Sequence, residues 1–142
     1  MNAPSENLSL RWISLDLDEH VDTARRAFEA YLANPAADSA SNKIQSVLAS
    51  TQQAGEIFAE AQFVTACALT QEIAELIETI LHEKTEHVQD FYQAVIGGFN
   101  QLLNYLSRIK QTGVDEPVAL LAVINELRST ANKPLQLPLD QF

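Results

Sequence analysis

Apolar side chains recur at intervals of three and four residues through long, unbroken stretches of this chain, a spacing that suits helices and little else. Leu17, Val21, Ala24, Phe28, Tyr31 and Leu32 form one such stripe, and a stripe of that kind has to be buried against something. Only four glycines and five prolines occur in 142 residues, and most of the prolines lie where the periodicity stops. Turns are therefore few and elements long. Neither strand-like alternation nor an Asn-Gly hairpin signal competes with this pattern.

The first helix is expected to begin near Asp16, because Asp16 and Glu19 stand at capping-box spacing with Trp12 and Ile13 just upstream. Asn34-Pro35 closes it. Asp38 or Ser39 is placed to cap a second helix with Ile44, Val47, Leu48, Thr51, Ala54 and Phe58 inward. A third, from about Phe63 to His82, carries Phe63, Ala66, Leu69, Ile73, Leu76, Ile77 and Ile80 inside, with Glu72, Glu75 and Glu78 toward solvent. The fourth, from about Thr85 to Gln111, would be about 40 Å long. Within it, Gly97-Gly98 marks either a close helix approach or a bend. Asp115 and Pro117 open a fifth helix, with Val118, Leu121, Ile124, Leu127 and Arg128 inward.

Amphipathic helices with short connections are best buried as an up-and-down antiparallel bundle. The expected fold is all-α, with a four-helix core and an additional C-terminal helix beside it, over residues 1–133. Residues 134–142 read as an extended tail, which either links to a neighbouring domain or docks on the bundle through Leu135, Leu137, Leu139 and Phe142.

Charge narrows the function classes. With 19 acidic and 9 basic side chains the net charge is −10, which opposes sequence-independent binding to nucleic acid and attachment to anionic lipid. No run approaches the length of a membrane span, and no signal peptide is evident. The single cysteine, Cys67, has no internal disulfide partner, so the expected location is the cytoplasm.

Catalytic constellations are absent from the pattern. His82 and His87 lie five apart rather than the four that would put two zinc ligands on one helix face. His20 sits at the edge of the first apolar stripe. Cys67 has no nearby base or Cys-x-x-Cys partner. The bundle di-iron pattern of two Glu-x-x-His motifs is missing as well. No metal or cofactor is expected. More informative is the small, polar middle of the second helix, Thr51, Gln52, Gln53, Ala54, Gly55 and Glu56, because a mid-helix glycine sacrifices roughly 1 kcal/mol relative to alanine. Either a neighbouring helix packs on Gly55 or a partner docks there.

Several segments together resemble a family. Leu10-Arg11-Trp12, Ala24-Arg25, Ala27, Glu29-Ala30-Tyr31 and Asn34-Pro35 come first, followed by Leu69 and Glu72. Tyr105-Leu106-Ser107-Arg108-Ile109 and Asn125-Glu126-Leu127-Arg128-Ser129 complete the series. In order and spacing they resemble the amino-terminal histidine-phosphotransfer-like (HPt-like) domain of the large chemosensory histidine kinase of type IV pilus systems, and the related FimL-like twitching-motility proteins. The likeness runs over nearly the whole chain from about Leu8.

A working domain of that family is a four-helix bundle with an exposed histidine on its second helix, a basic residue three positions later and a glycine four later. The resemblance puts Gln52 at the phosphoacceptor position, Gly55 at the basic one and Glu56 at the glycine. A second register puts Thr51 and Ala54 at the first two and keeps Gly55 as the glycine, but it turns Gln53 and Glu56 toward the core. In both registers the histidine and the basic residue are missing.

The resemblance thus implies a pseudo-phosphotransfer domain without catalytic residues, acting in two-component, chemotaxis-like signalling. Its expected docking surface is Thr51, Gln52, Gln53, Gly55, Glu56 and Gln62. The implied partners are response regulators, polar scaffold proteins or chemosensory-array proteins, with recruitment to the cell pole. Two alternatives stand beside it. One is active phosphotransfer in a phosphorelay through His20, His82 or His87. The other is a self-associating bundle, a homodimer, joined through a strip such as Leu120, Val123 and Leu127.

Overall fold

Five helices account for the architecture of the computed structural model, which describes residues 3–82, 88–114 and 116–132, with side chains from Leu15 onward. They are α1 (Ala3–Ala33), α2 (Ala40–Glu60), α3 (Val64–His82), α4 (Val88–Thr112) and α5 (Val118–Thr130). No strand occurs among the described residues. The fold is the expected all-α bundle.

Pair contacts fix the directions. Asp18 of α1 accepts a hydrogen bond from Lys110 of α4 at 2.9 Å, while Tyr31 meets Tyr92 with hydroxyls 3.4 Å apart, so α1 and α4 are antiparallel. Phe63, just ahead of α3, packs edge-on against Tyr105 of α4 with ring centroids 6.5 Å apart. Helices α1 to α4 thus form a ring in which each touches its chain neighbours and α4 returns to α1. Helix α5 lies against both α3 and α4.

The core runs along the middle of the ring. Phe28, Phe58 and Phe99 are its largest fully buried side chains, joined by Leu17, Ile44, Leu69, Ile73, Leu102 and Ile109. Burying an aliphatic or aromatic side chain of this size contributes roughly 1.5–3 kcal/mol. At Gly98 the helices pack closely: a Cβ there would lie 2.9 Å from Ile73 of α3 and 3.4 Å from Leu127 of α5. Of the two readings of Gly97-Gly98, the close approach is the one observed.

Helix ends differ from expectation in three places. Helix α1 starts at Ala3 and passes through Asp16 and Glu19 without a break, so those residues sit on an exposed mid-helix face and do not form a capping box. Acidic residues three apart arise on any hydrated helix face, and the spacing alone could not distinguish a start. Ser39 does occupy the N-cap of α2, but in helical φ/ψ and with no side-chain cap bond. Successive backbone turns, Ala37 N–H to Asn34 O and Ala40 N–H to Ala37 O, lead into the helix instead. Pro117 is the N-cap residue of α5 and Val118 its first helical one. Asp115 and the expected start of the fourth helix near Thr85 lie outside the described residues, as does the tail from Pro134.

The α2–α3 connection is unusually tight. Gln62 takes a left-handed φ of 67°, and the Phe63 N–H donates to Phe58 O at 2.9 Å, closing a Schellman turn without glycine.

Two faces are also corrected. Helix α5 buries Leu120, Val123, Ile124 and Leu127, whereas Val118 is 82% exposed and Leu121 half-buried. Its first seven residues are all apolar, so two adjacent faces satisfied the same spacing. The strip Leu120, Val123 and Leu127, read as an exposed self-association surface, is core. Glu72 does not share the hydrated face of Glu75 and Glu78: it accepts a 2.7 Å bond from Arg128, pinning α5 to α3. Leu48 and Ile80, expected inside, are half-buried at the margin.

Candidate functional site

The polar middle of α2 opens onto a groove shared with α3. Thr51, Gln52, Gly55, Glu56 and Ala59 form one wall, and Cys67, Thr70, Gln71 and Ala74 the other, around a volume of about 480 Å³. It exists because small residues face one another across the two helices. Gly55 is buried, and a Cβ on it would stand 2.9 Å from the Thr70 hydroxyl. Helix α2 therefore gives up propensity at Gly55 for a close crossing with α3, and the packing explanation for this glycine is the one observed.

The hydroxyl groups of the floor are already used. Thr51 is 1% exposed and its hydroxyl donates to Val47 O at 2.8 Å, while that of Thr70 donates to Cys67 O at 2.7 Å. Both bonds fold back on the parent helix. What projects outward is a ring of longer polar groups, the amides of Gln52 and Gln71 and the carboxylate of Glu56, all on exposed residues.

The expected docking residues are thereby divided. Thr51, Gln52, Gly55 and Glu56 come together in the groove, but Thr51 and Gly55 shape its floor from buried positions and offer no accessible side chain. Gln53 and Gln62 are exposed and do not line it; Gln62 lies in the turn beyond the end of α2. The register that puts the acceptor at Thr51 would place it in the core. The α3 wall went unrecognised in the sequence, although Cys67, Thr70, Gln71 and Ala74 recur at three and four residues beside the leucine stripe.

Cys67 is half-buried in that wall, with Gln71 Nε2 3.8 Å from its sulfur. Burial pushes its thiol above the usual range. The neutral form dominates near pH 7, which makes it a weak nucleophile.

Among the described residues, no imidazole lines the groove. His20 is half-buried on α1 and His82 is the exposed last residue of α3. His87 lies outside the described residues. Among the described residues, no group of three or more His, Cys, Asp or Glu is placed to hold a metal ion, and no helix is long and apolar enough to cross a membrane. An amide at Gln52 lacks the free nitrogen lone pair that phosphoryl capture requires. The groove can hydrogen-bond and enclose a small protruding group.

The described residues form a bundle of five helices with a small-floored, amide-rimmed groove between the second and third. No protein-family model matches the chain, and neither do any of the curated proteins or solved structures compared with it.

Proposed function

We propose that the chain is a non-catalytic interaction module, a pseudo-phosphotransfer domain that docks response regulators or scaffold proteins of a type IV pilus chemosensory system without accepting phosphate. One observation carries the reading. The exposed midpoint of α2, flanked by an open groove, carries Gln52 where an acceptor would need an imidazole and Gly55 where it would need a cation, with the carboxylate of Glu56 one turn beyond Gln52. A carboxylate at that place opposes a phosphoryl group. The small floor and the amide rim suit the side chains of a protein surface, and the −10 charge favours a partner with basic groups.

Titration of the chain with response regulators of the same cell, followed by calorimetry or NMR shifts, tests the reading. Binding should weaken at least about tenfold, roughly 1.4 kcal/mol, in a Gln52→Ala, Glu56→Arg double variant. Both residues are exposed, so the fold should survive. Binding that is indifferent to the double variant would move the interface elsewhere.

A further inference from the structure

Hydrogen-bonding capacity in the α2–α3 groove is one-sided. Thr51 and Thr70 have each given their hydroxyl proton to a carbonyl of the parent helix, Val47 O and Cys67 O, and have none left to offer. Gln71 turns its amide nitrogen to Cys67 Sγ at 3.8 Å, which leaves its carbonyl oxygen as the other end. A carboxylate such as that of Glu56 only accepts, and Gln52 brings an amide that can present its oxygen. The lining accepts far more readily than it donates.

Charge is one-sided in the same way. Among the described residues, no lysine, arginine or histidine lines the groove, and Glu56 forms no ion pair with any of them. Arg25 is spent on Asp22 and Glu29, Lys110 on Asp18 and Arg128 on Glu72. Lys43, the cation of α2, stands more than three turns ahead of Glu56, about 20 Å along the helix. Glu60, one turn beyond Glu56, is exposed and adds to the negative field.

We propose that the groove takes one lysine side chain of the docking partner, its alkyl stem over the floor and its ammonium group against Glu56. The inference rests on the reading of this groove as the docking site and names what enters it. Gly55, Ala59 and Ala74 leave a floor of small groups within the volume of about 480 Å³. An unbranched stem can lie on such a floor while its charged head stays at the wet rim. The acceptors come from separate side chains on two helices, Gln52 and Glu56 on α2 and Gln71 on α3. That arrangement suits a compact head with three N–H donors, whereas a planar guanidinium favours a bidentate match to one carboxylate. An anionic side chain would meet acceptors and a like charge.

Amide NMR of the full chain, titrated with Nα-acetyl-lysine methylamide, tests this. Saturable shifts are expected at Gly55, Glu56, Thr70 and Gln71, with a millimolar midpoint. The norleucine analogue, which keeps a four-carbon apolar stem without the charge, should give none. Glu56→Gln should weaken the lysine probe about threefold to fivefold, the loss an exposed ion pair carries, and the residue is exposed, so the fold should survive. Equal shifts with the norleucine analogue, indifference to Glu56→Gln, tighter binding of the arginine analogue or shifts centred outside the groove would each overturn the proposal. The docking reading is separable: a regulator that binds through Gln52 and Glu56 while the lysine probe does not would sustain docking and overturn the lysine. Probe binding with no regulator complex would do the reverse.

Discussion

Adjacent glycines in α4 offer a controlled test of the packing account, because a methyl group at each meets opposite surroundings. At Gly98 it would sit 2.9 and 3.0 Å from Ile73 carbons and 3.4 Å from Leu127, and both neighbours are buried on all sides. Overpacking of this kind costs about 1–3 kcal/mol. At Gly97 the same methyl meets nothing within 4 Å among the described residues. Both substitutions gain the same helix propensity, about 1 kcal/mol, so that contribution cancels in the comparison. Gly97→Ala is expected to stabilise the chain by up to about 1 kcal/mol, and Gly98→Ala to fall about 1–3 kcal/mol below it. For a chain of this length the gap corresponds to roughly 4–12 °C in Tm.

Urea unfolding followed by far-UV circular dichroism, with unchanged slope, reads both values. Ile73→Val, which removes one of the two clashing carbons, should cost less in the Gly98→Ala background than alone, a coupling of about 0.5–1 kcal/mol. Equal stability of the two alanine variants would refute the close approach of α3, α4 and α5 at Gly98.

Other expectations follow from the helix ends and the ion pairs. Gln62→Gly should raise stability by about 1 kcal/mol, since a left-handed φ of 67° is costly for any residue with a Cβ; thermal unfolding checks it. Glu72→Gln should cost about 1–2 kcal/mol, because its partner Arg128 is only 24% exposed and loses a charge-assisted bond. Amide exchange in α5 should rise with it. Burial and the Tyr92 hydroxyl push Tyr31 up from 10.0 to about 12. The folded chain then keeps this proton while the unfolded chain loses it, so stability should hold below about pH 10 and fall from there to about pH 12. Tyr31→Phe should flatten that part of the pH profile.

Much of the fold was legible in the sequence because helical periodicity and burial are the same constraint seen twice. Val21, Ala24 and Phe28, or Leu69, Ile73 and Leu76, leave no second face to choose. Periodicity failed where a helix is apolar nearly all round: the start of α5 allowed two faces, and only the presence of α3 and α4 selected Leu120 over Val118. Helix starts were obscured for a related reason, since Asp16 and Glu19 have the spacing of a cap and the exposure of a plain solvent face. Glu72 looked like its neighbours Glu75 and Glu78 because its partner lies 56 residues away.

The candidate site was half legible. The α2 wall showed itself through an unusual glycine and a polar run, whereas the α3 wall, made of Cys67, Thr70, Gln71 and Ala74, became recognisable only through its contact with Gly55. Small residues at helical spacing look alike whether they floor a groove or fill a core.

A transfer experiment decides whether the chain can take up phosphate. A phosphorylated response regulator of a type IV pilus chemosensory system is mixed with the full chain, and label and complex are followed together. A non-catalytic docking module should give a complex that weakens with the Gln52→Ala, Glu56→Arg pair while the label stays on the regulator or is lost to water. Acid-labile label appearing on the chain, and vanishing with His20→Gln, His82→Gln or His87→Gln, would contradict it.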